Sequence, residues 1–144
     1  MANSATWIIE SDLQAMAPVA QAVRELALPV IGDEGAGDLE LAVVEAISNV
    51  IRHGYGPAGG PVKVEAEAVP GDGVTLRVHD WGRPIPGDAL AGAGLSRFDF
   101  DPDDLDAIPS GGMGLSLITA VMDDVAYRSD GGQNVLTLRR GLRD

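Results

Sequence analysis

The sequence predicts an α/β two-layer sandwich, a mixed and mostly antiparallel sheet covered on one face by helices. Three observations carry that expectation. Residues 39–53 hold apolar side chains at helical spacing. Residues 62–80 and 125–139 each alternate apolar and polar positions on either side of a turn, as hairpins do. At 144 residues the chain is long enough for one sizeable core, and no repeat or linker divides it, so residues 1–144 are expected to form a single domain.

The elements follow in chain order. Residues 6–9 form a short apolar run suited to a first strand. A helix is expected from Ser11 to about Leu28, with Pro18 either restarting it or kinking it. The glycine-rich residues 32–37 predict a loop, and Asp38 an N-cap for the next helix. In that helix Leu39, Ala42, Val43, Ala46, Ile47, Val50 and Ile51 make one stripe. Gly54 ends it behind Arg52 and His53, whose cationic character suits the C-terminal dipole. Residues 62–68 and 74–80 then alternate around a turn at 70–73. From 83 to 111 the pattern dissolves into prolines and glycines, with five aspartates between Asp99 and Asp106 and a weak hint of helix at 88–95. A stretch this long inside one domain predicts a functional lid or an insert. A helix follows over about 114–122, its core side marked by Leu117, Ile118 and Val121, and a last hairpin turns at 130–132.

Composition excludes several classes. The net charge is −12, Lys63 is the one lysine, and the nine arginines are scattered, so neither nucleic acid nor an anionic membrane is an expected partner. There is no cysteine for a disulfide, a thiolate nucleophile or zinc ligation, and two histidines cannot make a histidine-rich metal site. The first residues lack a basic segment followed by an apolar one, and no apolar run approaches a membrane span, so a cytoplasmic setting is expected. Lys63 lies in mid-strand without a preceding glycine, which rules out a phosphate-binding P-loop. No dinucleotide fingerprint and no Gly-x-Ser-x-Gly elbow is present.

Three motifs remain, and together they describe a pocket for a nucleotide and its metal. Glu45 and Asn49 sit one turn apart on the 39–53 helix, beside the apolar stripe. Asn49 offers a neutral oxygen to a hydrated Mg²⁺, and Glu45 is placed to activate a nucleophile. Asp80 shares a strand face with Leu76 and Val78, so its carboxylate points toward the helices and needs a donor, which the exocyclic amine of adenine would supply. Gly82 would let the base approach the backbone. Gly112 and Gly114 open a helix, leaving free N–H groups and a favourable dipole for phosphate. His53, nearer the apolar stripe, suits a structural hydrogen bond better than a base.

Jointly these segments resemble the N, G1 and G2 boxes of the Bergerat-fold, or histidine-kinase-like, ATPases, above all the small anti-sigma-factor serine kinases. The likeness lies in residues 40–55 (ELAVVEAISNVIRHGY), 78–84 (VHDWGRP) and 111–118 (GGMGLSLI), in that order, and extends from the first helix to the last strand. It implies a Bergerat fold with ATP and Mg²⁺ between the helical layer and a lid over 83–111. It implies Asn49 as Mg²⁺ ligand, Glu45 as general base and Asp80 as adenine reader. Gly82, Gly112 and Gly114 become nucleotide-contacting turns, with His53, Pro84, Met113 and Leu115 beside them. It further implies a homodimer and two protein partners: a sigma factor held inactive, and a small antagonist (anti-anti-sigma) protein phosphorylated on serine. Two departures stand out: Ser110 occupies a lid position where relatives often carry arginine, and Pro18 lies in the first helix. Retention of Glu45 and Asn49 favours the kinase. Ser110 favours the rival reading, a non-catalytic adapter that binds ATP or only a partner.

Overall fold

Alternating side chains build the sheet. The computed structural model describes residues 2–85, 97–99 and 113–142. Its strands are β1 (Asn3–Glu10), β2 (Pro61–Val69), β3 (Gly73–Asp80), β4 (Arg97–Asp99), β5 (Asp124–Asp130) and β6 (Gln133–Gly141). They form one six-stranded sheet in the order β1-β2-β3-β6-β5-β4. Every pairing is antiparallel except β4 with β5. The β5–β6 turn is Gly131-Gly132, with φ of 60° and 83°, the two-residue geometry that matches strand twist and that only glycine adopts cheaply. β4 falls where the sequence showed no strand.

Two helices cover one face. α1 (Leu13–Asn49) begins behind Asp12, whose carboxylate accepts the Gln14 N–H at 2.7 Å. It passes through Pro18 and Pro29 in helical geometry and breaks only at Gly32, at φ 78°. Arg24 meets Glu40 at 3.2 Å and the Ser48 hydroxyl meets Met16 Sδ at 3.4 Å; both pairs lie equally far from Gly32 on either side. The two arms of α1 are therefore an antiparallel helical hairpin. This corrects three expectations. Pro18 neither restarts nor kinks the helix. The loop over 32–37 shrinks to one residue, because Gly35 and Ala36 are buried helical positions and a Cβ on Gly35 would stand 2.9 Å from the Ile31 side chain. Asp38 lies within the second arm rather than capping it. The last turn, Val50–Gly54, widens to a π-helix that ends with Tyr55 N–H on Val50 O at 3.2 Å. α2 (Met113–Val121) buries Leu115 and Ile118, whereas Leu117, expected in the core, is 41% exposed. Among the described residues no helix is long and apolar enough to cross a membrane.

Strand register aligns the core and ends it with polar groups. Opposite one another on the helix side stand Leu76 and Leu138, then Val78 and Leu136, all buried. At one end of these files lies the pair Asp80 and Asn134, and at the other Val74 and Arg140. Arg140 is 2% exposed and donates from Nε and Nη2 to Asp38 Oδ2 at 3.2 and 3.0 Å. Two charges inside one interface stabilise little as a pair, but removing one strands the other. Asp38→Ala should lower stability by about 3 kcal/mol, read as a lower urea midpoint. The volume-matched double variant Asp38→Leu/Arg140→Met should recover most of that loss. An unchanged midpoint in Asp38→Ala would show that water already solvates Arg140.

Candidate functional site

A pocket opens where the end of α1 meets the end of β3 and the neighbouring parts of β5 and β6. Its wall includes Asn49, His53, Asp80, Arg83 and Tyr127. Strand alternation turns Asp80, the last residue of β3, inward, and it is only 7% exposed. Asn134 stands directly across the ladder and donates Nδ2–H to Asp80 Oδ1 at 2.8 Å. Gly82 N–H donates to the same oxygen at 2.9 Å. Among the described residues Oδ2 receives no donor. Burial raises the Asp80 pKa; the Asn134 and Gly82 hydrogen bonds and the neighbouring His79 pull it back.

The segment after Asp80 is strapped to the pocket. Gly82 O accepts from Asn134 Nδ2 at 2.9 Å, Arg83 N–H donates to Gly54 O at 2.5 Å, and Ile85 N–H donates to the Tyr127 hydroxyl at 2.9 Å. A Cβ on Gly82 would collide with the Gly54 carbonyl. The missing side chain thus admits the protein's own backbone, where the sequence reading had it admit the ligand. Pro84 sits within the strap, between two pocket-lining residues, and does not itself line the pocket. Of the expected lid, Arg83 and Ile85 are pocket wall and 97–99 are β4; the rest beyond residue 85, Ser110 and the hinted helix at 88–95 included, lies outside the described residues.

Glu45 and Asn49 are half-buried one turn apart at the edge of the core, as their spacing predicts. Asn49 lines the pocket and Glu45 does not. His53 also lines it, and burial together with Arg52 lowers its pKa, keeping the imidazole neutral at pH 7. Met113 opens α2 with Gly114 in its first turn, and Gly112 lies outside the described residues. Leu115 is 2% exposed within the hydrophobic core, so its side chain packs there and is closed to a ligand. What this helix end offers a phosphate is backbone N–H. No cluster of three or more His, Asp or Glu able to hold a metal occurs among the described residues. A cation here would depend on Asn49, phosphate oxygens and water, a donor set that suits Mg²⁺.

These groups fit a purine nucleotide. A buried carboxylate, one of whose oxygens has no donor among the described residues, lines a pocket that also presents a neutral amide and a neutral imidazole. Asn134 and Tyr127 are not among the sequence's candidate site residues, and Arg83 enters them only as a member of the 78–84 segment. Only Asn134 left a signal: it is the first, polar position of the inward file that continues through Leu136 and Leu138.

Comparison with known proteins follows the same lines. A family model described as the histidine kinase-like ATPase domain matches residues 9–140. The serine-protein kinase RsbW of Listeria monocytogenes is 33% identical over 104 residues, covering 72% of this chain and 64% of that protein. The crystal structure of the RsbU and RsbW domains of Rv1364c from Mycobacterium tuberculosis superposes with a TM-score of 0.65 at 19% identity, covering 99% of this chain and 33% of the other. At that identity the likeness shows the fold alone.

Proposed function

The chain belongs to the histidine kinase-like ATPase domain family, and on that premise we propose that it is an ATP- and Mg²⁺-dependent protein serine kinase of the anti-sigma type. One observation carries the nucleotide part: Asp80 is buried in the pocket lining, and among the described residues its Oδ2 has no donor. Asp80 accepts from the 6-amino group of adenine. Asn49 would hold Mg²⁺, and His53 lines the same pocket. The backbone at Gly112, Met113 and Gly114 binds phosphate. Bound MgATP supplies the phosphoryl group. Glu45, from the adjoining turn, takes the proton of a partner's serine hydroxyl as the new O–P bond forms and the bond to ADP breaks.

The kinase part is supported by the pairing of Glu45 with Asn49 and by the name of the Listeria relative, of whose length this chain spans 64%. In this reading the serine belongs to a small antagonist protein, a sigma factor is the second partner, and the setting is cytoplasmic. A homodimer would pair through β1, which lies at the edge of the sheet.

The test is co-purification from host cells with and without ATP, analysed by mass spectrometry. A sigma factor and a phosphoserine-bearing partner are expected. Partners bound with the serine unmodified would establish the adapter, the reading that Ser110 favours.

A further inference from the structure

We propose that Asn134 sets the base selectivity of this pocket: its amide holds Asp80 so that Oδ2 alone faces the ligand, as an acceptor, admitting a purine with a 6-amino group and rejecting one with a 6-oxo group. The proposal rests on the reading of the pocket as a nucleobase site and says which residue makes it discriminate.

The geometry leaves Asn134 one orientation. It is 1% exposed, and both Nδ2 hydrogens are used, on Asp80 Oδ1 at 2.8 Å and Gly82 O at 2.9 Å. Its own Oδ1 accepts the Ser129 hydroxyl at 2.7 Å. A flipped amide would set its oxygen against two acceptors at once, so the network assigns the amide unambiguously. Ser129 and Asn134 face each other in the β5–β6 ladder, and Asn134 and Asp80 in the β3–β6 ladder. The relay therefore crosses three strands at a fixed register.

This matters because a buried carboxyl has two ways to meet a base. Ionised, Oδ2 accepts from an amine. Protonated, it donates to a carbonyl, and the preference inverts. Burial favours the protonated form, and the donors from Asn134 and Gly82 oppose it. The Gly82 donor is backbone, which leaves Asn134 as the side chain that decides. The other titratable groups around Asp80 are His79 beside it in β3, Tyr55 after α1, Tyr127 of β5, and His53 and Arg83 in the pocket wall. None of them hydrogen-bonds the carboxylate among the described residues. Asn134 is a positioning residue, acting on the ligand through Asp80.

ATP and inosine triphosphate differ at this position by amine against carbonyl, and calorimetric titration of both across pH 5–8 tests the inference. The parent should bind ATP at least tenfold more tightly. Asn134→Leu should lose most of that preference, and the pH below which ATP binding fails should move upward. Asn134→Thr, which keeps one donor, should restore part of both. The Asp80 carboxyl, followed by NMR without ligand, should titrate higher in Asn134→Leu than in the parent. Equal weakening of both nucleotides with an unchanged pH profile would reduce Asn134 to a structural residue and overturn the inference. A parent that binds neither nucleotide would overturn the reading of the pocket itself, a distinguishable failure.

Discussion

Asp80→Asn should weaken ATP binding by about 100-fold, because it replaces a charged acceptor by an amide that can turn a donor toward the adenine amine. The Asn134 and Gly82 hydrogens already occupy one oxygen, so the amide nitrogen of the variant is driven to the open position. In the parent, GTP should bind poorly, since guanine presents a carbonyl there. Titration calorimetry reads both effects, and equal parental affinity for ATP and GTP would defeat the assignment. Stability should move the other way. Burial raises the Asp80 pKa above its ordinary 3.8, so the protein binds that proton more tightly folded than unfolded. The associated stability is complete below the unfolded value and is lost as pH rises through the folded one. At pH 7 the buried charge is a standing cost that the variant lacks. Asp80→Asn should therefore melt no lower than the parent while losing its ligand, which separates a binding defect from a folding one.

Glu45→Gln should cut phosphotransfer to the serine partner by roughly 10²–10⁴-fold, the usual contribution of a general base, with ATP affinity nearly unchanged. The contrast with Asn49→Ala is diagnostic. Asn49 lines the pocket and Glu45 does not, so removing the amide should weaken nucleotide binding and its Mg²⁺ dependence as well. Calorimetry with and without Mg²⁺, beside a phosphoserine assay, distinguishes the two. Full transfer by Glu45→Gln would assign proton removal elsewhere and leave Glu45 as a residue at the edge of a helix.

Periodicity made the sheet legible and hid the helical hairpin. Alternation located β2, β3, β5 and β6 because one face of each is buried, and the 3.6-residue stripe located the second arm of α1. Glycines misled: Gly35 was read as loop, yet it is helical and buried, packed against Ile31 where two arms reverse direction. β4 is three residues long, too short for any pattern. At the site, Asp80 was legible because an inward carboxylate violates its strand's pattern. Its side-chain donor was not, since Asn134 lies 54 residues away and meets it only through strand register. Gly82 was read as serving a ligand, whereas its neighbour, the Gly54 carbonyl, comes from the far end of another element.

The position of β6 has a consequence for synthesis. Among the described strands it comes last in the chain, and it lies between β3 and β5. A growing chain that has passed Asp80 must wait for residues 133–141, roughly 3–12 s at ordinary elongation rates. Through that interval β3 shows a bare edge to every other nascent chain nearby, an invitation to mispairing. The same interval leaves Asp80 without the Asn134 amide that donates to its Oδ1 in the finished sheet. The edge of β3 closes only when β6 pairs with it.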